Sequence, residues 1–341
     1  MKTPFPTPRR SQLGLSLVEL MVALAIGTFL LAGTISVFGK TRDLYRINEA
    51  AARLQETARY AMGTLEADLR MANYWGLMSR ADLIENGPAL DLANPPAVDP
   101  SYSLPAELTA YAGTINDCGA MWAVKLPAYI EATDSYTLGC AAFGGGSVAG
   151  SDTLTIRRAS TQVIASGAPL TASAGQIKLQ TSRVQGSLFA SATLPAGYLP
   201  PLSETRALIV NGYYIGVDSD ERAGTPSLRR KQLDVAGGAP TITDLQVVPG
   251  VEDLQIELGA DFNEDQNADY FVQPGTAIPA GDQIVAVRLW LLVRAEQQES
   301  GFTDGRTYDY ASRTGAAVYA PADAFRRVLV SKTIALRNTR R

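Results

Sequence analysis

The hydrophobic pattern changes twice along the chain. Residues 15–39 are apolar almost without a break, and Glu19 is the only ionisable group between Leu15 and Gly39. Twenty-five residues in a helix reach about 37 Å, more than the ~30 Å hydrocarbon core of a bilayer, so a transmembrane helix is predicted. From 40 to 78 the pattern becomes amphipathic. Leu44, Ile47, Ala51, Leu54, Ala58, Ala61, Leu65, Leu69 and Ala72 recur at three- and four-residue steps, with Arg42, Glu49, Arg53, Glu56, Arg59, Glu66 and Arg70 off that line. Glu49 with Arg53, and Glu66 with Arg70, add favourable four-residue pairs. No proline stands between Pro8 and Pro88. One continuous helix from Leu15 to about Leu77 is therefore expected, half membrane anchor and half scaffold for a sheet.

Residues 79–341 form the expected globular part. Its first stretch, 79–150, is rich in turn residues ("NGPALDLANPPAVDPSYSLP", "FGGGSVAG") and reads as a loop-rich insertion, its glycine run a flexible loop. After it come short strand-like runs: "TLTIRRA", "TQVIA", "QIKLQ", "ALIVNGYYIGVD", "LRRKQLDV", "LQIEL", "IVAVRLWLLVRAE" and "RVLVSKTIALRN". Close turns favour antiparallel pairing. In the penultimate run Val287, Leu289, Leu291 and Val293 alternate with Arg288, Trp290, Leu292 and Arg294, so one set should face the helix. The expected class is α+β, a long N-terminal helix packed on a mainly antiparallel sheet.

Charge and rare residues narrow the chemistry. The formal net charge is −4; residues 1–14 hold Lys2, Arg9 and Arg10 and no acid, so their loss would leave −7. That balance argues against a dedicated nucleic-acid binder, which needs a basic face. Tyr213, Tyr214, Trp290 and nearby arginines read as core and solvated charge rather than as a base-stacking surface. Basic residues ahead of the apolar run orient the N-terminus toward the cytoplasm and the bulk of the chain outside. The sequence lacks histidine, the usual general base and a common metal ligand. It also shows no G-x-S-x-G, G-x-x-x-x-G-K or H-E-x-x-H motif. No enzyme activity is expected. Cys118 and Cys140 are the only cysteines, in neither a zinc nor a C-x-x-C pattern. A disulfide is the expected use, two buried free thiols the alternative.

The feature that sets the N-terminus apart is a short basic leader ending in Gly14, followed by "LSLVEL". It resembles the class III signal of type IV prepilins. That resemblance implies cleavage between Gly14 and Leu15 by a prepilin peptidase, methylation of Leu15, and an assembly role for Glu19. Leu15 stands where family members often carry phenylalanine. In the bundle of helices the α-amine of one subunit would neutralise the glutamate of its neighbour, where an unpaired carboxylate is costly.

The globular half resembles the PilW family of minor pilins in "NGYYIGVDSDERAGTPSLRRK", "VRLWLLVRAE" and "FRRVLVSKTIALRN". The resemblance implies a protein that primes pilus assembly and sits at or near the tip. Implied partners are the major pilin, other minor pilins, the prepilin peptidase, the inner membrane and a PilY-type tip adhesin. A minor pseudopilin of a type II secretion system, or a DNA-uptake or adhesive pilin, shares these features.

One motif remains. In "DFNEDQNADYF", Asp261, Asn263, Asp265, Asn267 and Asp269 place an oxygen-bearing side chain at every second position. Such spacing opens calcium loops of the EF-hand kind. Gln266 replaces the turn glycine and Val272 stands where a bidentate glutamate belongs, so the alternatives are a weak Ca2+ site and a solvated turn.

Overall fold

The computed structural model describes residues 14, 16–84, 104–164, 170, 174–199, 202–279 and 281–339. The chain forms two compact units, residues 1–52 and 53–341. The first is built on the start of helix α1 (Leu17–Leu69), which is long and apolar enough to cross a membrane. Within it Thr28, Thr34 and Thr41 turn their hydroxyls back onto the carbonyls of Leu24, Leu30 and Val37. Hydroxyls satisfied inside the helix do not need water.

The helix ends eight residues before the expected Leu77. Asn73 adopts φ 61°, the left-handed conformation that asparagine tolerates at a helix C-terminus. Its N–H donates to the Arg157 carbonyl, and its side-chain oxygen accepts the Trp75 indole N–H at 2.7 Å. The reversal sends Trp75 into the core, where it is fully buried.

In the second unit every pairing between the described strands is antiparallel, with one isolated parallel bridge from Ile84 to Gly186. One sheet has seven strands: β1 (Ile130–Thr133), β2 (Thr153–Ile164), β3 (Lys178–Thr181), β4 (Gly186–Phe189), β5 (Glu204–Gly216), β6 (Ser227–Ala236) and β7 (Ala239–Pro249). β5 is its axis. One edge pairs with β2; the other pairs first with β3 and then with β6, so the sheet forks there. "TLTIRRA" and "TQVIA" prove to be one strand, β2, with a register shift between Ala159 and Val163. The second sheet runs β11 (Arg327–Ala335), β10 (Gln283–Arg294), β8 (Val251–Asp261), β9 (Tyr270–Val272).

Leu54, Ala58, Ala61, Leu65, Leu69 and Ala72 lie buried against both sheets, among Ile156, Tyr213, Ile256, Val287, Leu289 and Leu291. These are positions that the helical spacing picks out. Burying each leucine is worth about 1.5–3 kcal/mol, so this stripe is the main cement. The expected alternation in β10 holds on the helix side. Its other face is covered too: Leu292 is buried with Tyr308 and Tyr310 from the excursion between β10 and β11. Arg327 pins that excursion, its fully buried guanidinium pairing with Glu252 and Asp323.

Of the stretch expected as loop-rich, residues 85–103 lie outside the described residues, and residues 104–150 build a layer of their own. Leu108, Ile115, Trp122 and Val124 cover the far face of the seven-stranded sheet over Leu179, Leu188 and Val210. Short helical turns, Ala106–Tyr111 and α2 (Ala112–Ile115), shape it. The glycine run is laid along the end of β5 rather than left flexible. Val148 N–H donates to the Ile215 carbonyl and Gly145 N–H to Asp218 Oδ2 at 2.7 Å. A Cβ on Gly145 would stand 2.8 Å from Val217, so the close approach requires glycine. The Gly224 and Gly145 N–H groups hold the Asp218 carboxyl below its usual range.

Candidate functional site

At the N-terminal end Gly14 lies outside the helix and Leu15 lies outside the described residues, so the structure places only one side of the expected scissile bond. Ser16 caps α1: its carbonyl accepts the Leu20 N–H and its Oγ the Glu19 N–H, both at 3.2 Å. Glu19 is thus the third helical residue, in the S-x-x-E spacing of a capping box. Its carboxylate is exposed and has no hydrogen-bond or ion-pair partner among the described residues. The capping role of Ser16 went unread in the sequence, although "SLVE" carries it.

Within the second unit, Asp68 sits on the buried stripe of α1, between Leu65 and Ala72. It accepts Arg158 Nε at 2.6 Å, Asn211 Nδ2 at 2.7 Å and the Tyr213 hydroxyl at 3.0 Å. Burial first, and then the Asp68 charge, push the Tyr213 hydroxyl up, so it stays a donor. The neighbouring Arg157 points the opposite way from β2. It is fully buried, donates to the Trp122 carbonyl at 2.7 Å and pairs with Glu131. Consecutive arginines in one strand therefore fasten the sheet to the helix on one face and to the outer layer on the other.

Cys118 and Cys140 are joined in a disulfide, both buried in that outer layer. Tyr213 and Tyr214 are 1% exposed each, so neither offers a stacking surface.

The loop after β8 is closed by its own backbone. Asp261 Oδ1 accepts the N–H groups of Asn263 and Glu264, and Oδ2 that of Gln266. Asn263 and Asp265 accept the N–H groups two residues on, and Asp269 accepts that of Phe262. These are the side-chain-to-backbone turns that Asp and Asn favour. Among the described residues, the acidic and cysteine groups close enough to share a metal ion are Asp117, Cys118 and Cys140 alone, and the sulfurs there are bonded to each other. The carboxylates of Asp261, Asp265 and Asp269 do not gather in that way; their oxygens are engaged by the backbone N–H groups of the turn.

Comparison with known proteins now bears on both ends of the chain. Residues 9–35 match the prokaryotic N-terminal methylation motif, and residues 212–338 match the model of the type IV pilus-assembly protein W family. The chain carries a PilW-type domain behind a prepilin N-terminus. The first match contains Gly14, Ser16 and Glu19; the PilW-type match runs from the second half of β5 through β11. A pilin-like protein, PilA3 of Thermus thermophilus, is 41% identical over 64 residues. That stretch is 18% of this chain and 28% of PilA3, so the chain spans less than a third of this curated relative. A solved type IV-like pilin from Thermus thermophilus overlaps 56% of this chain and 79% of its own, at 16% identity and a TM-score of 0.29.

Proposed function

We propose that this chain is a minor pilin that helps prime type IV pilus assembly and sits at or near the filament tip, acting by structure rather than catalysis. On this reading the leader is removed between Gly14 and Leu15 and Leu15 is methylated. The anchor holds the chain in the inner membrane with the globular unit in the periplasm, until it joins the other pilins and a tip adhesin.

The observation that carries the reading is Glu19. An acid inside an apolar span is costly, and this one has no partner among the described residues. Its position near the positive end of the helix dipole eases the charge only in part. A partner supplied by another chain, the free α-amine of a processed neighbour, completes the pairing. The match to a pilus-assembly family favours the pilus over a secretion pseudopilus.

Glu19→Ala is the test. It should leave membrane insertion intact, since it removes a cost, and lower incorporation into filaments at least tenfold. Pilus-fraction protein should begin at Leu15 by intact mass. An alanine variant incorporated like the wild type, or a mature chain that keeps Met1, overturns the reading.

A further inference from the structure

The seven-stranded sheet opens where it forks. β5 pairs with β3 as far as Ala207, and with β6 from Asn211, which stands opposite Gln232. Beyond Gln232, β6 leaves β5 and keeps only β7 as a neighbour, Leu233 opposite Ile242 and Val235 opposite Pro240. The segment before β3 meets the turn between β6 and β7: a Cβ on Gly175 would run into the Gly238 carbonyl. The fork holds a cavity of about 340 Å3. That is at the small end of small-molecule sites, about 300–1,000 Å3.

The cavity is lined by apolar Ile209, Leu233 and Val235 and by polar Arg158, Arg230 and Gln232. Arg158 is neutralised by Asp68 at 2.6 Å. Arg230 is not. It stands beside the Tyr213 hydroxyl, has no ion pair among the described residues, and its Nε is buried without a hydrogen-bond partner. A half-buried guanidinium without a counter-charge is costly. Asp234 also lines the cavity, but it is exposed and accepts the Val235 N–H. Four residues along the strand from Arg230, it is about 13 Å away, where water and salt screen its charge. One surplus positive charge therefore lines a partly apolar cavity.

We propose that the fork is a binding site for a small organic monoanion, its carboxylate on Arg230 and its apolar body against Ile209, Leu233 and Val235. The planar guanidinium offers paired donors that match a carboxylate. A single surplus cation selects a single negative charge over a phosphate dianion. The site depends neither on leader processing nor on the filament.

Calorimetric titration of the full chain in neutral detergent micelles, against micelles alone, provides the test. Benzoate and hexanoate are the probes, benzamide the uncharged control and phenyl phosphate at pH 8 the dianion. Benzoate should bind with a Kd of about 1 mM or tighter. Benzamide should bind at least about tenfold more weakly, as loss of a charge-assisted hydrogen bond implies, and phenyl phosphate no more tightly than benzoate. Arg230→Gln, which breaks no ion pair, should weaken benzoate by about the same factor. Ala207→Leu, which adds bulk to the cavity wall, should do so too. If the glutamine variant fails to fold, benzoate against benzamide on the wild type decides alone. Neither carboxylate binding at about 10 mM, benzamide binding as well as benzoate, or folded Arg230→Gln binding benzoate like the wild type overturns the proposal. Phenyl phosphate bound more tightly than benzoate overturns the assignment of a single charge.

Discussion

Tyr213 donates its hydroxyl to Asp68 at 3.0 Å, tying the central strand β5 to the last turn of the long helix. Arg158 and Asn211 converge on the same carboxylate, so a residue 5% exposed serves as the hub of a polar clamp inside an apolar interface. Removing the hub strands three donors. Asp68→Ala should destabilise the second unit by about 2–3 kcal/mol, because the buried Asn211 and Tyr213 donors lose their acceptor and the partly buried Arg158 loses its counter-charge. Asp68→Asn should cost less but not nothing, since a carboxamide turns one acceptor into a donor. Denaturant unfolding in detergent, followed by tryptophan fluorescence, reads both. An alanine variant within 0.5 kcal/mol of wild type on such a scale would mean that the clamp sets orientation without adding stability.

How much of this was legible in sequence depends on periodicity. The stripe from Leu54 to Leu69 and the alternation of β10 were readable because burial repeats at 3.6 and 2 residues. Asp68 was passed over although it lies on that stripe, and a lone acid there is the sign of a buried partner. β7, "APTITDLQVVP", escaped notice: as an edge strand it is half-exposed along most of its length and bracketed by prolines. The layer around Leu108 and Trp122 has no period to read, being made of short turns. No proline marks the helix end: the chain tightens into turns past Leu69 and reverses at Asn73 in the αL conformation. At the candidate site, Gly14 and Glu19 stood out by motif. The Asp261 loop left two readings open because calcium loops and backbone-capping turns draw on the same alternating Asp and Asn.

The disulfide leads to a second expectation. Cys118 and Cys140 are 2% and 6% exposed, so the folded chain should resist reduction by external thiols. Unfolded but unreduced protein should take up no alkylating reagent. Replacing both cysteines with alanine should lower stability by about 3 kcal/mol on the chain-entropy model, for a closure of 22 residues. Trp122, in the same layer, reports the loss by fluorescence. Uptake of two equivalents of reagent by the unreduced chain contradicts the bond.

The loop after β8 makes a third. Asp261 is 3% exposed and accepts three backbone N–H groups, so Asp261→Ala should cost about 2–3 kcal/mol. Glu264 and Gln266 hold φ of 63° and 71°, and glycine at either should be neutral or mildly stabilising, by up to about 1 kcal/mol. Calcium at millimolar concentration should leave the melting temperature where it is. A rise that disappears in Asp265→Ala would instead establish binding, since a ligand of the folded state stabilises by mass action.

Asp152 sets the fourth. It joins the sheets: its N–H donates to the Leu254 carbonyl, and its Oδ2 accepts the Ile256 N–H at 2.7 Å. Oδ1 is buried without a partner among the described residues. Burial, with the charges of Asp134 and Asp253 outweighing that of Arg313, pushes the carboxyl up to about 8. Its unfolded value is about 3.9. Between those values the folded chain holds the proton more tightly than the unfolded one, so stability falls as pH rises, by at most about 1.4 kcal/mol per unit for one group. The contribution is fully present below about pH 4 and is spent above about pH 8. Other acids act oppositely, because Glu131 and Asp244 are held below their usual range and favour the fold as pH rises through the acid region. The Asp152 effect is therefore isolated by difference. Asp152→Asn cannot ionise, so it should melt about 5 °C higher than wild type at pH 8 and lose most of that advantage by pH 5. A difference between the two proteins that stays constant from pH 5 to pH 8 would show that this carboxyl does not titrate there.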